Sequence, residues 1–156
     1  MTMDFALITA GQMYRYHLRQ TVVGDGRRLA RTPLDRAQEE AGVPVGRWMG
    51  RGLPALGLAA GDVVTEAQLR NLFGERGRHP HADLIEADLL AAGTSPKAAW
   101  KAGALGRRVK VTGFDLVFRS QPTVYLLWAL GDDATRRVIE AAHERAIERV
   151  LEWIED

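Results

Sequence analysis

The stretch Gly113-Phe-Asp-Leu-Val-Phe118 decides the fold. Read with the residues before it, Arg108 to Phe118 is the clearest strand of the chain. Val109, Val111, Phe114, Leu116, Val117 and Phe118 supply its apolar content. Gly113 interrupts the run and is expected to mark a bulge, since a glycine inside a strand has no side chain to pack there. Just beyond, Ser120 is placed to cap a helix with Pro122 in its first turn, running to Leu130. Tyr125, beside Trp128 in that apolar helix, is expected in the core. Gly131-Asp132 breaks it and starts a last helix reaching about Glu155. There Val138, Ala142, Ala146, Val150 and Trp153 recur at three- and four-residue steps. Ile139, Ile147, Leu151 and Ile154 widen this into a broad apolar stripe.

Towards the N-terminus the pattern is mostly helical. Pro96 to Ala104 reads as a short helix capped by Ser95. Ala82 to Ala92 is a second, with an apolar face through Leu84, Ala87 and Ala91, widened by Ile85 and Leu89. Thr65 caps a third to Phe73, with Leu69, Leu72 and Phe73 on its apolar side. Pro44 to Gly61 is a Gly- and Pro-rich loop around Trp48, with one short helix at Pro54 to Leu58. Pro33 and Gly42 bracket a helix from Leu34 to Ala41, and Val23-Gly-Asp-Gly26 is turn chemistry. Thr9, with Gln12 three residues on, forms a capping-box pattern for a helix from about Ala10 to Gln20. Before it, Phe5 to Ile8 is a short buried strand. The class is therefore α+β, with few strands, several helices and a C-terminal amphipathic helix, all in one domain spanning 1–156.

Composition bounds the function. With 46% hydrophobic and 26% charged residues, the chain is neither disordered nor collagen-like. Its lack of cysteine excludes a disulfide framework, a thiolate nucleophile and a Cys-ligated zinc. The longest apolar run, Val124 to Leu130, is far too short to span a bilayer, so no membrane role is expected. Asp4 and the absence of a basic n-region argue against a secretory signal, and a cytoplasmic location is expected.

The net charge of +1 conceals a segregation. Tyr14 to Gly52 holds eight arginines (Arg15, Arg19, Arg27, Arg28, Arg31, Arg36, Arg47, Arg51) against four acids. Pro96 to Phe114 holds Lys97, Lys101, Arg107, Arg108 and Lys110 and no acid. Gly131 to Asp156 reverses the sign, with eight acids against four arginines. Two basic stretches converging on one face would bind an anion such as nucleic acid, and the alternative is a set of solvated surface charges. Trp100 beside Lys97 and Lys101 is a basic-aromatic cluster at helical spacing. Trp48 is placed either to stack on a base or to plug the core.

Several segments resemble the N-terminal domain of TrwC/TraI-type (MobF) conjugative relaxases, especially the actinobacterial branch. They are Tyr14-Arg-Tyr16, Gly46-Arg-Trp-Met-Gly-Arg-Gly52 with Ala55-Leu-Gly-Leu58, Thr65 to Gly74, and His79-Pro-His-Ala-Asp83 running on to Gly93. Gly113 to Phe118, followed by Leu127-Trp-Ala-Leu-Gly-Asp132 and Ala142-His143, is the most specific. The resemblance implies a relaxase-type fold, of which this chain would hold the front portion. It also implies a chemistry. A tyrosine hydroxyl attacks a DNA phosphodiester, a divalent metal held by three histidines polarises the phosphate, and single-stranded DNA lies in a basic cleft. A phenol with a pKa near ~10 is a poor nucleophile, which is why such chemistry recruits a Lewis acid.

Carried over, Tyr14 and Tyr16 are the catalytic candidates. The second tyrosine pair falls on Ala37 and Gln38. A Pro-Lys-Ser-like segment falls on Arg119 to Tyr125, with Pro122 where the lysine would stand. The histidine triad would lie beyond Asp156, so no metal ligands, and hence no cofactor, are expected within these residues. His79-Pro80-His81 is read as a turn entering a helix, because proline cannot donate to a central strand. His17 and His143 are read as half-buried helix residues, and Tyr14 and Tyr16 have a packing role as their plainer alternative. The expected function is a relaxase-like DNA-binding module of conjugative transfer that does not nick by itself. Arg15, Arg19, Arg47, Arg51, Lys97, Lys101, Arg107, Arg108 and Lys110 would meet phosphates. The alternatives are an interaction protein pairing with itself or a full-length relaxase through Val150, Trp153 and Ile154, or a fragment of a longer strand transferase.

Overall fold

The computed structural model describes residues 1–11, 36, 45–74, 76–106 and 110–156. Strand β1 (Thr2–Thr9) pairs antiparallel with β2 (Val111–Arg119). β1 starts three residues before the expected Phe5, because its first residues find partners on β2, with Thr2 opposite Arg119 and Phe5 opposite Leu116. Ile8 stands opposite Gly113 but Thr9 opposite Val111, so Thr112 is the extra residue of a bulge. Its hydroxyl donates to the Ile8 carbonyl at 3.2 Å. Gly113 thus flanks the bulge as expected, and it has a second reason to be glycine. A Cβ there would lie 2.8 Å from the Phe73 ring.

Helix α1 (Glu66–Phe73) begins with a full capping box. The Thr65 hydroxyl accepts from the Gln68 N–H, and the Gln68 carboxamide accepts from the Thr65 N–H. The residues it buries are Gln68 and Asn71, whereas Leu69, Leu72 and Phe73 are half-buried. Helix α2 (Ala82–Ala91) packs on α3 (Pro96–Ala102). The inward face of α2 is Ala82, Ile85, Glu86 and Leu89, while Leu84, Ala87 and Ala91 are exposed. The face is therefore rotated from the expected one. α3 ends at Ala102 rather than Ala104, because Ala104 leaves the helix to bridge Arg78. Ala82 and Ala99 are 0% exposed. A Cβ on Gly103 would lie 2.8 Å from the Ala82 Cβ. This is contact by small residues, which lets two backbones approach.

Helix α4 (Pro122–Leu130) has Gln121 rather than Ser120 at its N-cap position, with no side-chain capping bond, and the Ser120 hydroxyl is hydrogen-bonded to His143 Nδ1 at 3.1 Å instead. Helix α5 (Asp133–Glu155) is capped by Asp132, which accepts the Thr135 N–H at 2.8 Å. Hydrogen bonding to Thr135, first by its side chain and then by this N–H, holds the Asp132 carboxyl below its usual range. α4 packs on α5, yet neither helix has a buried residue. Tyr125, expected in the core, is more than half exposed because only one side of α4 meets α5. Of the expected helix from Ala10 to Gln20, Ala10 and Gly11 form a turn, with the Ala10 N–H donating to the Lys110 carbonyl at 2.9 Å, and the rest lies outside the described residues, as does the expected helix from Leu34 to Ala41 except for Arg36, which is helical. Pro54 to Leu58 is in fact a short 3-10 turn over Leu53–Leu56, closed by Gly57 in the left-handed region.

Candidate nucleic-acid interface

The Arg76-to-Ala82 turn connects α1 to α2, and Gly77 (φ 50°) allows it to reverse. The Arg78 N–H donates to the Asn71 carbonyl and the His79 N–H to the Gly103 carbonyl, fastening the turn to α1 on one side and to the end of α3 on the other. Asn71 completes the join by donating to the Pro80 carbonyl at 3.1 Å. The Arg78 side chain is 13% exposed. Its guanidinium meets Glu86 at 2.7 Å and lies 5.0 Å from the Trp100 ring centroid. Arg76 also stacks on Trp100, at 5.1 Å. One indole therefore has two guanidinium contacts, one cation structural and the other exposed.

Lys97 and Lys101 are exposed on α3, four residues apart and hence on one face of it, with Trp100 adjoining. The structure thus places the basic-aromatic cluster read from Pro96 onward beside two more cations. Arg76 was missed in the sequence. Its neighbours Gly74 and Gly77 mark a turn, but nothing in their spacing points to Trp100.

The other phosphate candidates are placed differently. Arg47 donates to the Gly61 carbonyl at 2.8 Å. Arg51 donates to Asp156 at 2.7 Å and to the Glu152 carbonyl, and its backbone N–H meets Glu155. The Asp156 carboxylate raises the Arg51 pKa further above its usual value. The loop that carries these residues is closed by antiparallel bonds, Trp48 N–H to the Asp62 carbonyl and Val64 N–H to that of Gly46. Trp48 is half-buried, and its Nε1–H donates to Gln68 at 3.0 Å. Lys110 is exposed beside the bulge. Tyr14, Arg15, Tyr16, His17, Arg19, Ala37, Gln38, Arg107 and Arg108 lie outside the described residues.

His79 and His81 sit in the turn, with ring centroids 5.7 Å apart. His79 Nδ1 accepts the His81 backbone N–H, and His81 Nε2 meets the Gly57 carbonyl. Burial, helped by the neighbouring His81, lowers the His79 pKa. Both rings are thus tied into the turn, and the described residues form no His, Asp or Glu group suited to a metal. Of the residues read as an interface, Trp153 and Ile154 are exposed and Val150 is half-buried.

A family model described as TrwC relaxase matches residues 10–156. The chain belongs to the TrwC relaxase family. The resemblance carried by Gly113 to Phe118 and the segments around it is thereby shown. No curated protein and no solved structure gives a significant match. Among the described residues no helix is long and apolar enough to cross a membrane.

Proposed function

We propose that this relaxase-family chain holds single-stranded DNA during conjugative processing and does not cleave it unaided. The observation that carries the reading is the Arg76–Trp100–Arg78 stack with Lys97 and Lys101 exposed beside it. A cation-aromatic surface suits a single strand: the exposed Arg76 guanidinium, laid on the indole, offers a plane for a base, and Lys97 and Lys101 meet phosphates. Ala37 and Gln38, where the resemblance puts a second tyrosine pair, support the lack of independent nicking. The test is binding of a labelled single-stranded oligonucleotide. Lys97→Gln with Lys101→Gln should reduce the salt slope by about 1.4, roughly 0.7 for each phosphate no longer neutralised. Undetectable binding at low salt would sink the DNA reading.

A second reading is favoured by the apolar surface. Opposed residues share a side of a sheet, so Met3, Phe5, Leu7, Phe114, Leu116 and Phe118 line one face. Phe5 is 70% and Phe114 62% exposed there. A contiguous patch of this kind normally marks a protein interface. Light scattering at micromolar concentration tests it, with self-association expected. A clean monomer would restrict this reading to a different protein as partner.

A further inference from the structure

A groove of about 460 Å³ lies between the Arg47–Arg51 loop and α5. Trp48, Met49, Ala60 and Leu151 give it apolar walls, and Glu144, Glu148 and Glu152 run along its helical side. Two observations say what it would hold. The first is a guanidinium already seated at one end: Arg51 bonds Asp156, Glu155 and the Glu152 carbonyl where α5 finishes. The C-terminus of a helix favours cations through its unpaired carbonyls and its dipole. The second is charge. The Glu144 and Glu148 side chains, four residues apart, have no ion-pair or hydrogen-bond partner among the described residues. Placing like charges at that spacing costs the helix stability, a cost that a bound cation removes.

Spacing narrows the partner further. Glutamates four apart stand about 6 Å apart along a helix, while alternate side chains of an extended peptide are about 6.6–6.8 Å apart. We propose that this groove docks an extended, arginine-bearing segment of a partner protein, with arginines at alternate positions. One guanidinium meets Glu144, the next meets Glu148, and the Trp48 indole offers a face for stacking. Its Nε1–H bond to Gln68 fixes that ring in the groove wall before any ligand arrives. Arg47 and Arg51 also line the groove, so it sets four glutamates against two arginines, whereas the Trp100 surface is basic, and it stands independently of the DNA-binding reading.

The experiment measures fluorescence anisotropy of a labelled peptide with arginine at three alternate positions, titrated with the full chain at low salt. Saturable binding is expected. The double variant Glu144→Gln, Glu148→Gln should weaken it about tenfold, as two part-exposed ion pairs would. Asp88→Asn on α2, which removes the same kind of charge elsewhere, should leave it unchanged. The proposal is overturned if no binding is seen, if the double variant binds like the original chain, or if Asp88→Asn weakens binding equally. Light scattering that shows a dimer lost in the double variant would make the occupant a second copy, which also overturns the partner assignment.

Discussion

Residues 45–106 and the rest of the described chain are built in opposite ways. The middle region holds Leu53, Leu58, Ala82 and Ala99 and the buried polar pair Gln68 and Asn71. In the strands and the last two helices Ile8 alone is buried, among the described residues. Yet those elements carry large hydrophobics that stay exposed: Phe5, Phe114, Leu130 (84% exposed) and Trp153 (77%). Apolar content therefore does not say where this protein packs. The middle closes through small residues and satisfied polar groups, which let backbones touch. The outer elements present their apolar faces outward.

The largest effect is expected at the Ala82–Gly103 contact. Ala82→Leu adds volume where a neighbouring backbone already touches, and overpacking of this kind costs about 1–3 kcal/mol. Urea unfolding should show a lower midpoint with little change in slope. An unchanged midpoint would mean that α2 and α3 are not the tight part of the molecule.

A smaller effect is expected from Thr65→Ala, which removes half of the capping box while Gln68 stays. The loss should be about 1 kcal/mol, the usual worth of such a cap. Intrinsic Trp fluorescence gives a second reading, since the Gln68 carboxamide that completes the box also holds the Trp48 indole. A full-sized shift in stability with no spectral change would separate the cap from the loop.

The smallest effect on stability is expected from Leu130→Ser, within about 0.5 kcal/mol, because an exposed side chain has little burial to lose. A loss above about 2 kcal/mol would show that Leu130 is covered in solution, and would move α4 from the open to the packed side of the comparison.

The element types were legible in the residues because they rest on local chemistry. Thr65 with Gln68 and Asp132 with Thr135 cap where their sequence says, and Gly113 sits at its bulge. The family was legible as well, since its motifs are runs of adjacent residues. Site pieces were legible only singly: Lys97, Trp100 and Lys101 lie on one helix, and helical spacing alone unites them. Other features required the chain to fold. Arg76 reaches Trp100 across 24 positions, and Arg51 reaches Asp156 across 105. Which face of α2 turns inward was settled by Gly103 admitting Ala82. Whether Ser120 caps a helix was settled by His143, which binds its hydroxyl instead. A sequence states which groups a segment offers. The competition among distant partners for those groups is decided by tertiary structure, because hydrogen bonds and close contacts depend on proximity in space.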